Sequence, residues 1–545
     1  MIYNNIFYGL IIFFLIGAML SIVFNKKDRL ATYCSFLSAV GASVFGIIFS
    51  LSVIFGETFS LSLSGSSFLK FGFFVDRLSA FFILVISVAV FAVSIYSIGY
   101  MREYYGKKNI GYLGFLYNIF ILSMILVVSA NNAIMFLIVW QLMSVISFFL
   151  VIFEHEKPET RKAGIVPLHI WLPYAHPAAP SNVSALMSGV MIKTAIYMFI
   201  RVFFDFLGAG VLWWGFLVFA LGAISALTGI MYAVVEPDIK RMLAFSSIEN
   251  IGIILLGIGA SMIFLASGSP ALSAIAAIAA LYHLLNHSIF KGLLFIGAGS
   301  ILFSTHTKNI EELGGLIKKM PVMALLFLIG VLSISALPPF SGFVSEWLLL
   351  QSLLLSFNST DTLDRIATDF TGAGAFDRSF SFGFLGNAGM PSTAISLSTP
   401  VILSLILLFI SIPSVIWYIK NINTRGKHQV YETWGCGQPV LTARNEYTAC
   451  AFSKPAQMWF KNIFRPEREL RASYTVSPLI KESFKFELHI EQIFERYIYL
   501  PVTDIIVSRS RTIKYIQTGS IHAYLAYIFG TMVILMLYII LGGSS

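Results

Sequence analysis

Two histidines and a lysine share one short apolar stretch of the chain, in the segment HLLNHSIFK. His283, His287 and Lys291 lie four residues apart, and this spacing places them on one face of a helix, about one turn from each other. Titratable groups inside an apolar helix mark proton or ion routes, so the spacing predicts a proton wire. Two alternatives stay open. One is a metal site, although no acidic or cysteine partner lies beside the histidine pair; the other is two core histidines with satisfied hydrogen bonds.

Two lysines lie in a second stretch, residues 162–201, which begins with a proline-rich entry and continues as an apolar helix. Lys162 precedes the proline break, and Lys193 lies near the middle of the helix. A charge at membrane depth costs about 2.5–3.5 kcal/mol, and a helix break there is tolerated only where the backbone is buried in protein or lines a cavity. We therefore predict that both lysines belong to an ion pathway. The alternatives are that Lys162 is an interfacial anchor and that Lys193 snorkels.

Two acidic residues lie in apolar surroundings further along the chain. Glu346 follows a second proline break, Pro338-Pro339, in the stretch 321–356, and we interpret it as a half-channel carboxylate. Two stretches that each combine a proline break with a nearby charge predict an internal repeat with discontinuous helices at matching positions. Glu249, in the segment SSIENIG, is assigned to the same pathway; the alternative is a local partner for a nearby lysine.

The composition predicts a membrane protein. Of the 545 residues, 57% are hydrophobic and 12% are charged, which excludes a soluble globular chain. Apolar runs of about 20 residues recur along the sequence, so we predict an all-α, polytopic membrane helix bundle of roughly 11–13 spans. The first run, Ile6–Phe24, is predicted to be a retained helix and not a cleaved signal peptide. The net charge of +9 is spread over short loops and indicates topology and anionic lipid, not nucleic acid.

Short basic loops set the predicted orientation. Lys and Arg are concentrated in the first and third loops and in residues 154–162, 236–241 and 304–320, and loops of this kind lie inside the cell, which puts the N-terminus outside. Residues 484–506 are predicted to form an amphipathic helix on a membrane or partner surface. The predicted membrane helices are 6–24, 32–54, 77–99, 111–129, 133–153, 183–205, 211–235, 242–265, 271–303, the broken 321–356, 398–419 and 519–541.

Several motifs together resemble one known family. The chain contains KAGIVPLHIWLPYAHPAAPSNVSALMSGVMIKTAIY, DIKRMLAFSSIENIG, HLLNHSIFKGLLFIGAGSI and ALPPFSGFVSEW, which resemble the antiporter-like subunits of respiratory complex I and Mrp-type cation/proton antiporters. Residues 433–455 and 513–529 look like the tail of the large membrane subunit in the hydrogenase-4 and formate hydrogenlyase branch. The resemblance implies that Lys162 is the central proton-carrying lysine of the first half. It also implies proton-pathway roles for Lys193, Lys240, His283, His287, Lys291 and Glu346.

Three features depart from the family pattern. Family members commonly carry a Glu in the fifth helix that partners the broken-helix lysine, whereas this chain has Gln141, which forms hydrogen bonds but holds no charge. The family has two further spans before the lysine that matches Lys162, and their loss keeps the topology but removes the lipid-side wall of the first half-channel. Residues 361–386 are polar where the family has a span, so we do not expect them to cross the membrane. We therefore expect the second half to carry more of the function than the first.

The expected function is translocation of protons or sodium ions in a membrane-bound hydrogenase, formate hydrogenlyase or complex I-like oxidoreductase of a prokaryotic inner membrane. The chain has no nucleotide, flavin, haem or iron–sulfur motif, and Cys34, Cys436 and Cys450 are too scattered for a metal site or a disulfide framework. No cofactor is therefore expected, and the redox chemistry belongs to hydrophilic partner subunits, with other membrane subunits alongside. The alternatives are a Mrp-type cation/proton antiporter subunit and a structural membrane anchor with a decayed proton path.

The expected domains follow the same segments. They are N-terminal membrane helices 1–110, a shortened first antiporter-like half 111–235, a second half 236–360, a polar linker and helix 361–420, a soluble or amphipathic segment 421–518 and a C-terminal helix 519–545.

Overall fold

The computed structural model describes much of the chain, which divides into two compact units, Met1–Phe452 and Ser453–Ser545. The described residues are 2–62, 72–154, 171–208, 210–357, 449–461, 467–474, 481–489, 496–497 and 500–513. Lys162, the polar segment 361–386 and the predicted helices 398–419 and 519–541 lie outside these ranges.

Long helices make up most of the described part of the first unit. Nine of the described helices are long and apolar enough to cross a membrane, so the predicted polytopic helical fold is confirmed. They begin and end within about one helical turn of the predicted bounds. The elements of this unit are α1 Ile2–Val23, α2 Asp28–Phe55, β1 Phe59–Ser62, β2 Gly72–Val75, α3 Arg77–Tyr100, α4 Ile110–Ser129, α5 Ala133–Val151, α6 Trp171–Ala178, α7 Ser181–Phe206, α8 Leu212–Val235, α9 Ile239–Ala266, α10 Pro270–Thr305, α11 Pro321–Ile334 and α12 Ser341–Phe357.

Small and polar residues let the first helices pack closely. A Cβ on Gly114 of α4 would overlap the Ser21 hydroxyl oxygen on α1, so only glycine allows this approach. The Ser21 hydroxyl donates to the Gly111 carbonyl at 2.9 Å, and the Asn118 amide donates to the Ser35 hydroxyl of α2 at 2.8 Å. Small residues and hydrogen bonds of this kind hold helices together in lipid, where the hydrophobic effect does not.

The loop between α2 and α3 contains a short hairpin that the sequence analysis did not predict. Strands β1 and β2 pair antiparallel, with Phe59 opposite Val75 and Ser62 opposite Gly72. Each strand has only four residues, too few for a clear two-residue period to be recognised.

Helix α7 contains two π-helical turns, Met187–Met191 and Arg201–Phe206. The first turn directly precedes Ile192 and Lys193, and π-helical turns occur often at functional sites. Pro180 lies immediately before α7 with extended backbone. The proline thus separates α6 from α7 and leaves backbone carbonyls at the break without helical partners.

The second broken helix is present where the sequence predicted it. Helix α11 ends at Ile334, and α12 begins at Ser341. Ala336, in the break, has φ 49°, a left-handed conformation that is uncommon for alanine. A Cβ on Gly342 would overlap the Ser333 carbonyl oxygen, so glycine is required where the chain folds back against α11.

In the second unit, the prediction of one amphipathic helix over 484–506 is wrong. Residues Lys481–His489 form strand β4, which pairs antiparallel with β3, Glu467–Tyr474, and Leu500–Ile513 forms a helix. The sequence FKFELH alternates apolar and polar residues, and this two-residue period favours a strand over a helix.

A charged cluster fixes the start of α3 against the end of α7. The Asp76 carboxylate accepts hydrogen bonds from the Ser79 amide at 2.9 Å and from Arg201 Nη2 at 2.5 Å. Arg201 also donates to the Tyr197 hydroxyl at 3.0 Å and to Asp205 at 2.6 Å. Burial alone raises the pKa of Asp76, but the Arg201 guanidinium and the Ser79 amide outweigh it, so this pKa lies below its ordinary value.

We expect Asp76→Asn to lower the free energy of unfolding by about 1–2 kcal/mol at pH 7. Asparagine caps a helix as well as aspartate, so this variant removes the charge and keeps the cap. Thermal unfolding in detergent measures the effect. Because the folded-state pKa is lowered, the stabilisation is complete above the ordinary pKa of about 3.9 and is lost as the pH falls through the lowered folded value.

Asp205→Asn is the matched control for this prediction. Asp205 pairs with the same arginine, but its side chain is 48% exposed whereas that of Asp76 is 26% exposed. We expect a loss of about 0.5 kcal/mol or less. Equal losses in the two variants would contradict the account.

Candidate functional site

Helix α10 brings the three residues of the HLLNHSIFK stretch into the protein interior. His283 is 2% exposed, and His287 and Lys291 are fully buried. We refer to His283, His287 and Lys291 as the α10 row. Helix α10 packs against α7, α9, α11 and α12, so the row faces protein and not lipid.

Lys291 binds helix α9 through its ammonium group. Its Nζ donates to the Leu243 carbonyl at 2.8 Å and to the Ser246 hydroxyl. It also interacts electrostatically with Glu249 on the same helix. A buried amine with two acceptors and a nearby carboxylate is suited to gain and lose a proton.

His283 connects three helices through its ring. Its Nδ1 lies 3.0 Å from the Ser345 hydroxyl on α12, and its Nε2 lies 3.2 Å from the Asn250 amide oxygen on α9. The amide oxygen only accepts, so Nε2 carries a hydrogen and a neutral ring accepts at Nδ1. His283 is thus the histidine of the row with satisfied hydrogen bonds.

His287 differs from His283 because neither ring nitrogen has a hydrogen-bond partner among the described residues. Its ring packs edge-on against Phe290, with centroids 5.4 Å apart. Buried polar atoms normally have a partner in protein or in ordered water. The two nitrogens therefore provide binding sites for water between His283 and Lys291.

Lys193 is buried within the protein, at 1% exposure, so the snorkelling alternative does not describe it. Its Nζ donates to the Ser188 carbonyl in the first π-helical turn of α7. The Ser188 hydroxyl in turn lies 2.8 Å from the Ser247 hydroxyl of α9. Lys193 interacts electrostatically with Lys291 and His287. It therefore lies beside the α10 row and is linked to α9 by the serine pair.

Lys240 reaches the break between α6 and α7. Its Nζ donates to the Ala179 carbonyl at 2.9 Å. The Ser184 hydroxyl donates to the carbonyls of His176 at 2.9 Å and Pro180 at 3.1 Å. The carbonyls of Ala179 and His176 at the proline break are thus satisfied by side chains, a lysine of α9 and a serine of α7.

Glu249 and Glu346 are partly buried. Glu249 interacts electrostatically with both Lys291 and Glu346. This agrees with the alternative that Glu249 is a local partner of a lysine, and it also brings the two acids into one region near His283. The structure thus brings together six predicted residues, Lys193, Glu249, His283, His287, Lys291 and Glu346. Lys240 joins them through His176, which interacts electrostatically with Lys240, Lys193 and Lys291.

Gln141 and Lys162 are the two predicted residues for which the structure describes no contact with this group. Gln141 is exposed on the same helix α5 as the exposed Ile138 and Leu142, and Lys162 lies outside the described residues. The predicted relation between these two residues therefore stays a prediction.

His176 and the serine and asparagine partners of the row were not predicted from the sequence. His176 is fully buried in α6, and neither ring nitrogen has a hydrogen-bond partner in the described part of the chain. It lies in the quoted PYAHPAAPS motif, next to Pro177, so its type and position were a usable signal. Ser188, Ser247, Asn250 and Ser345 carried no such signal, because serine and asparagine are common in membrane helices.

We expect no stoichiometric metal at the histidine pair. Within the described residues, no group of three or more His, Cys, Asp or Glu side chains could hold a metal ion. Two imidazoles leave a tetrahedral zinc site half filled. Elemental analysis of the purified protein should find no bound zinc, and chelators should leave its activity unchanged. Stoichiometric zinc that disappears in His283→Ala would refute this prediction.

These features define a class of protein: a multi-pass helical membrane subunit with broken helices and buried titratable residues. The family model described as NADH:quinone oxidoreductase/Mrp antiporter, TM, matches residues 160–362, and that described as NADH-Ubiquinone oxidoreductase (complex I), chain 5 N-terminus, matches residues 61–109. These two segments of the chain are thus similar to antiporter-like membrane subunits of the complex I and Mrp superfamily.

Two known proteins and one solved structure are similar to this chain over larger or smaller parts of its length. Hydrogenase-4 component B of Escherichia coli K12 is 40% identical over 405 residues, 63% of this chain and 60% of that protein. Formate hydrogenlyase subunit 3 of Escherichia coli K12 is 47% identical over 198 residues, 36% of this chain and 32% of that protein. The chain thus spans less than two thirds of either relative. A chain of the archaeal membrane-bound sulfane sulfur reductase has the same fold, with a TM-score of 0.66 and 19% identity over 97% of this chain and 99% of that one.

Proposed function

We propose that the chain is the proton-translocating membrane subunit of a hydrogenase-4-like or formate hydrogenlyase-like complex in a prokaryotic inner membrane. Its partners are other membrane subunits and hydrophilic subunits that carry the redox chemistry. The names of the relatives support this assignment. No cofactor is assigned to this chain, and sodium is the alternative ion.

One observation carries the proposal: the buried α10 row interacts with further titratable groups on neighbouring helices. Glu249 interacts electrostatically with Lys291 and with Glu346, and Lys193 interacts with Lys291. Lys240 binds the Ala179 carbonyl at the break before α7. Groups of this kind, spaced by about one helical turn and joined by hydroxyls or water, pass protons by alternating between charged and neutral forms. A structural anchor has no need for so many buried titratable groups.

The test uses the complex purified through a tag on this chain and reconstituted in vesicles. We expect hydrophilic redox subunits to copurify and their turnover to acidify the vesicle lumen in sodium-free buffer, with an uncoupler abolishing the signal. Sodium-dependent exchange without any redox subunit would favour the Mrp-type alternative. Redox turnover without ion movement would favour the structural anchor.

A further inference from the structure

The start of helix α7 is buried, and the residue before it offers no cap. Ser181 and Asn182, the first two residues of α7, are fully buried. Pro180 precedes them with extended backbone and makes no side-chain cap hydrogen bond, because its ring holds no acceptor. The first amides of a helix have no partner within the helix, and a buried amide without any partner costs free energy. The first turn of α7 therefore needs an acceptor from another helix.

Tyr100, the last residue of α3, provides this acceptor. The Ser181 amide donates to the Tyr100 hydroxyl at 3.3 Å, and that hydroxyl donates to Ser181 Oγ at 3.4 Å. Tyr100 is 5% exposed, so its burial shields these bonds from competing water. A second contact lies beside them, where the Asn182 side-chain amide donates to the Ser97 hydroxyl at 3.0 Å. Helix α3 thus caps α7 across the interface between the two helices.

Helix α10 also packs closely against the start of α7. A Cβ on Gly299 would lie 2.5 Å from Ser181 Cβ and 2.6 Å from the Tyr96 hydroxyl oxygen. Only glycine allows this approach, because close-packed side chains leave no room for the overlap. The first turn of α7 is therefore held by contacts with α3 and α10, and Tyr100 satisfies its Ser181 amide.

The capped turn leads to groups of the proposed ion route. Ser188 lies seven residues after Ser181, about two helical turns further along α7, and its carbonyl accepts from Lys193 Nζ. The Ser188 hydroxyl lies 2.8 Å from the Ser247 hydroxyl of α9. A helix that frays or shifts at its start carries these groups with it. The cap on Ser181 therefore influences where Lys193 lies beside the α10 row.

We propose that Tyr100 is a positioning residue for ion transfer. Its hydroxyl holds the start of α7 through the Ser181 amide and thereby keeps Lys193 in place beside the α10 row. Tyr100 carries no proton in this account and acts on transfer only through α7. The inference rests on the proposed function, because it requires an ion route that Lys193 supports.

The test uses Tyr100→Phe, which removes the hydroxyl and keeps the ring that stacks on Tyr96 with centroids 5.3 Å apart. Tyr117→Phe is the matched control, because its buried hydroxyl lies 2.9 Å from the Ser94 hydroxyl and this hydrogen bond joins α4 to α3 instead of α7. Protons translocated per redox turnover are measured in the reconstituted complex. Both variants are compared with Lys193→Ala and with the double variant Tyr100→Phe/Lys193→Ala.

We expect this ratio to fall about two- to fivefold in Tyr100→Phe, the change that the loss of one N-cap makes in a helix equilibrium. The ratio should stay native in Tyr117→Phe. The double variant should lose no more than Lys193→Ala alone, because both changes act through the same lysine. A general structural defect would lower the ratio in both phenylalanine variants alike and would add to the loss in Lys193→Ala, and either result would overturn the proposal.

A native ratio in Tyr100→Phe or in Lys193→Ala would also overturn the proposal, as long as Lys291→Ala lowers the ratio. An unchanged ratio in Lys291→Ala would instead contradict the proposed function. Where Tyr100→Phe does not assemble, Pro180→Ser is added to it, because a serine before the first turn accepts from the α7 amides within the same helix. We expect this combination to assemble with a restored ratio. Its failure to assemble would assign Tyr100 a structural role and overturn the proposal.

Discussion

Replacing Lys291 with alanine should lower proton uptake by about tenfold or more, whereas Lys193→Ala should lower it only a few-fold. Lys291 is the last member of the row, bound to α9 through Leu243 and Ser246. Without its amine, the row ends at His287, and the interaction with Glu249 is lost together with the hydrogen bonds to α9. Lys193 lies beside the row, so its loss leaves the row continuous.

Both lysine variants are measured in reconstituted vesicles per assembled complex, because each removes a buried charge. Ser247→Ala is a useful companion, since it breaks the Ser188–Ser247 contact and leaves both lysines in place. We expect it to resemble Lys193→Ala. Equal and small losses in the two lysine variants would refute the asymmetry between the halves.

Gln141→Glu should raise proton uptake or make it newly dependent on Lys162. In the family-like arrangement a carboxylate on the fifth helix pairs with the broken-helix lysine and favours its charged form. At about 4 Å and an effective dielectric constant of about 20, this attraction is of order 4 kcal/mol, reduced by the cost of desolvating the new charge. With glutamine at this position we expect the lysine to have only a neutral partner and therefore to contribute less to transfer.

A double-mutant cycle tests this pair. Uptake is measured for Gln141→Glu, Lys162→Ala and the combination, and the coupling is the departure from additivity. Ser144→Glu, about one turn further along α5, serves as the charge control, because it adds the same carboxylate to the same helix at a different position. Additive effects would mean that the pair does not form and that the first half is a scaffold.

Most membrane helices could be predicted from the sequence because an uninterrupted run of about 20 apolar residues is enough to identify each one. The helix predicted at 211–235 is observed at Leu212–Val235, and the break in 321–356 is observed between Ile334 and Ser341. Strand β4 was missed because the segment was judged by its amphipathic character over 23 residues and not by its local two-residue period. The π-helical turn before Lys193 had no sequence signal that was recognised.

The site was predictable where its members share one helix. Four-residue spacing was enough to group His283, His287 and Lys291. Contacts between helices were not predictable in this way, because the packing of His176 on Phe295 and the approach of Lys240 to Ala179 depend on tertiary structure. Spacing along one helix says nothing about which residue of another helix contacts the row.

The most direct test of the central claim is the number of protons translocated per redox turnover in the native complex and in the Lys291→Ala complex. Both quantities are recorded on the same vesicles, so that a change in turnover alone is not mistaken for a change in transport. The account predicts a positive ratio for the native complex and a clearly lower one for the variant. An unchanged ratio in an assembled Lys291→Ala complex would contradict a proton route through the α10 row.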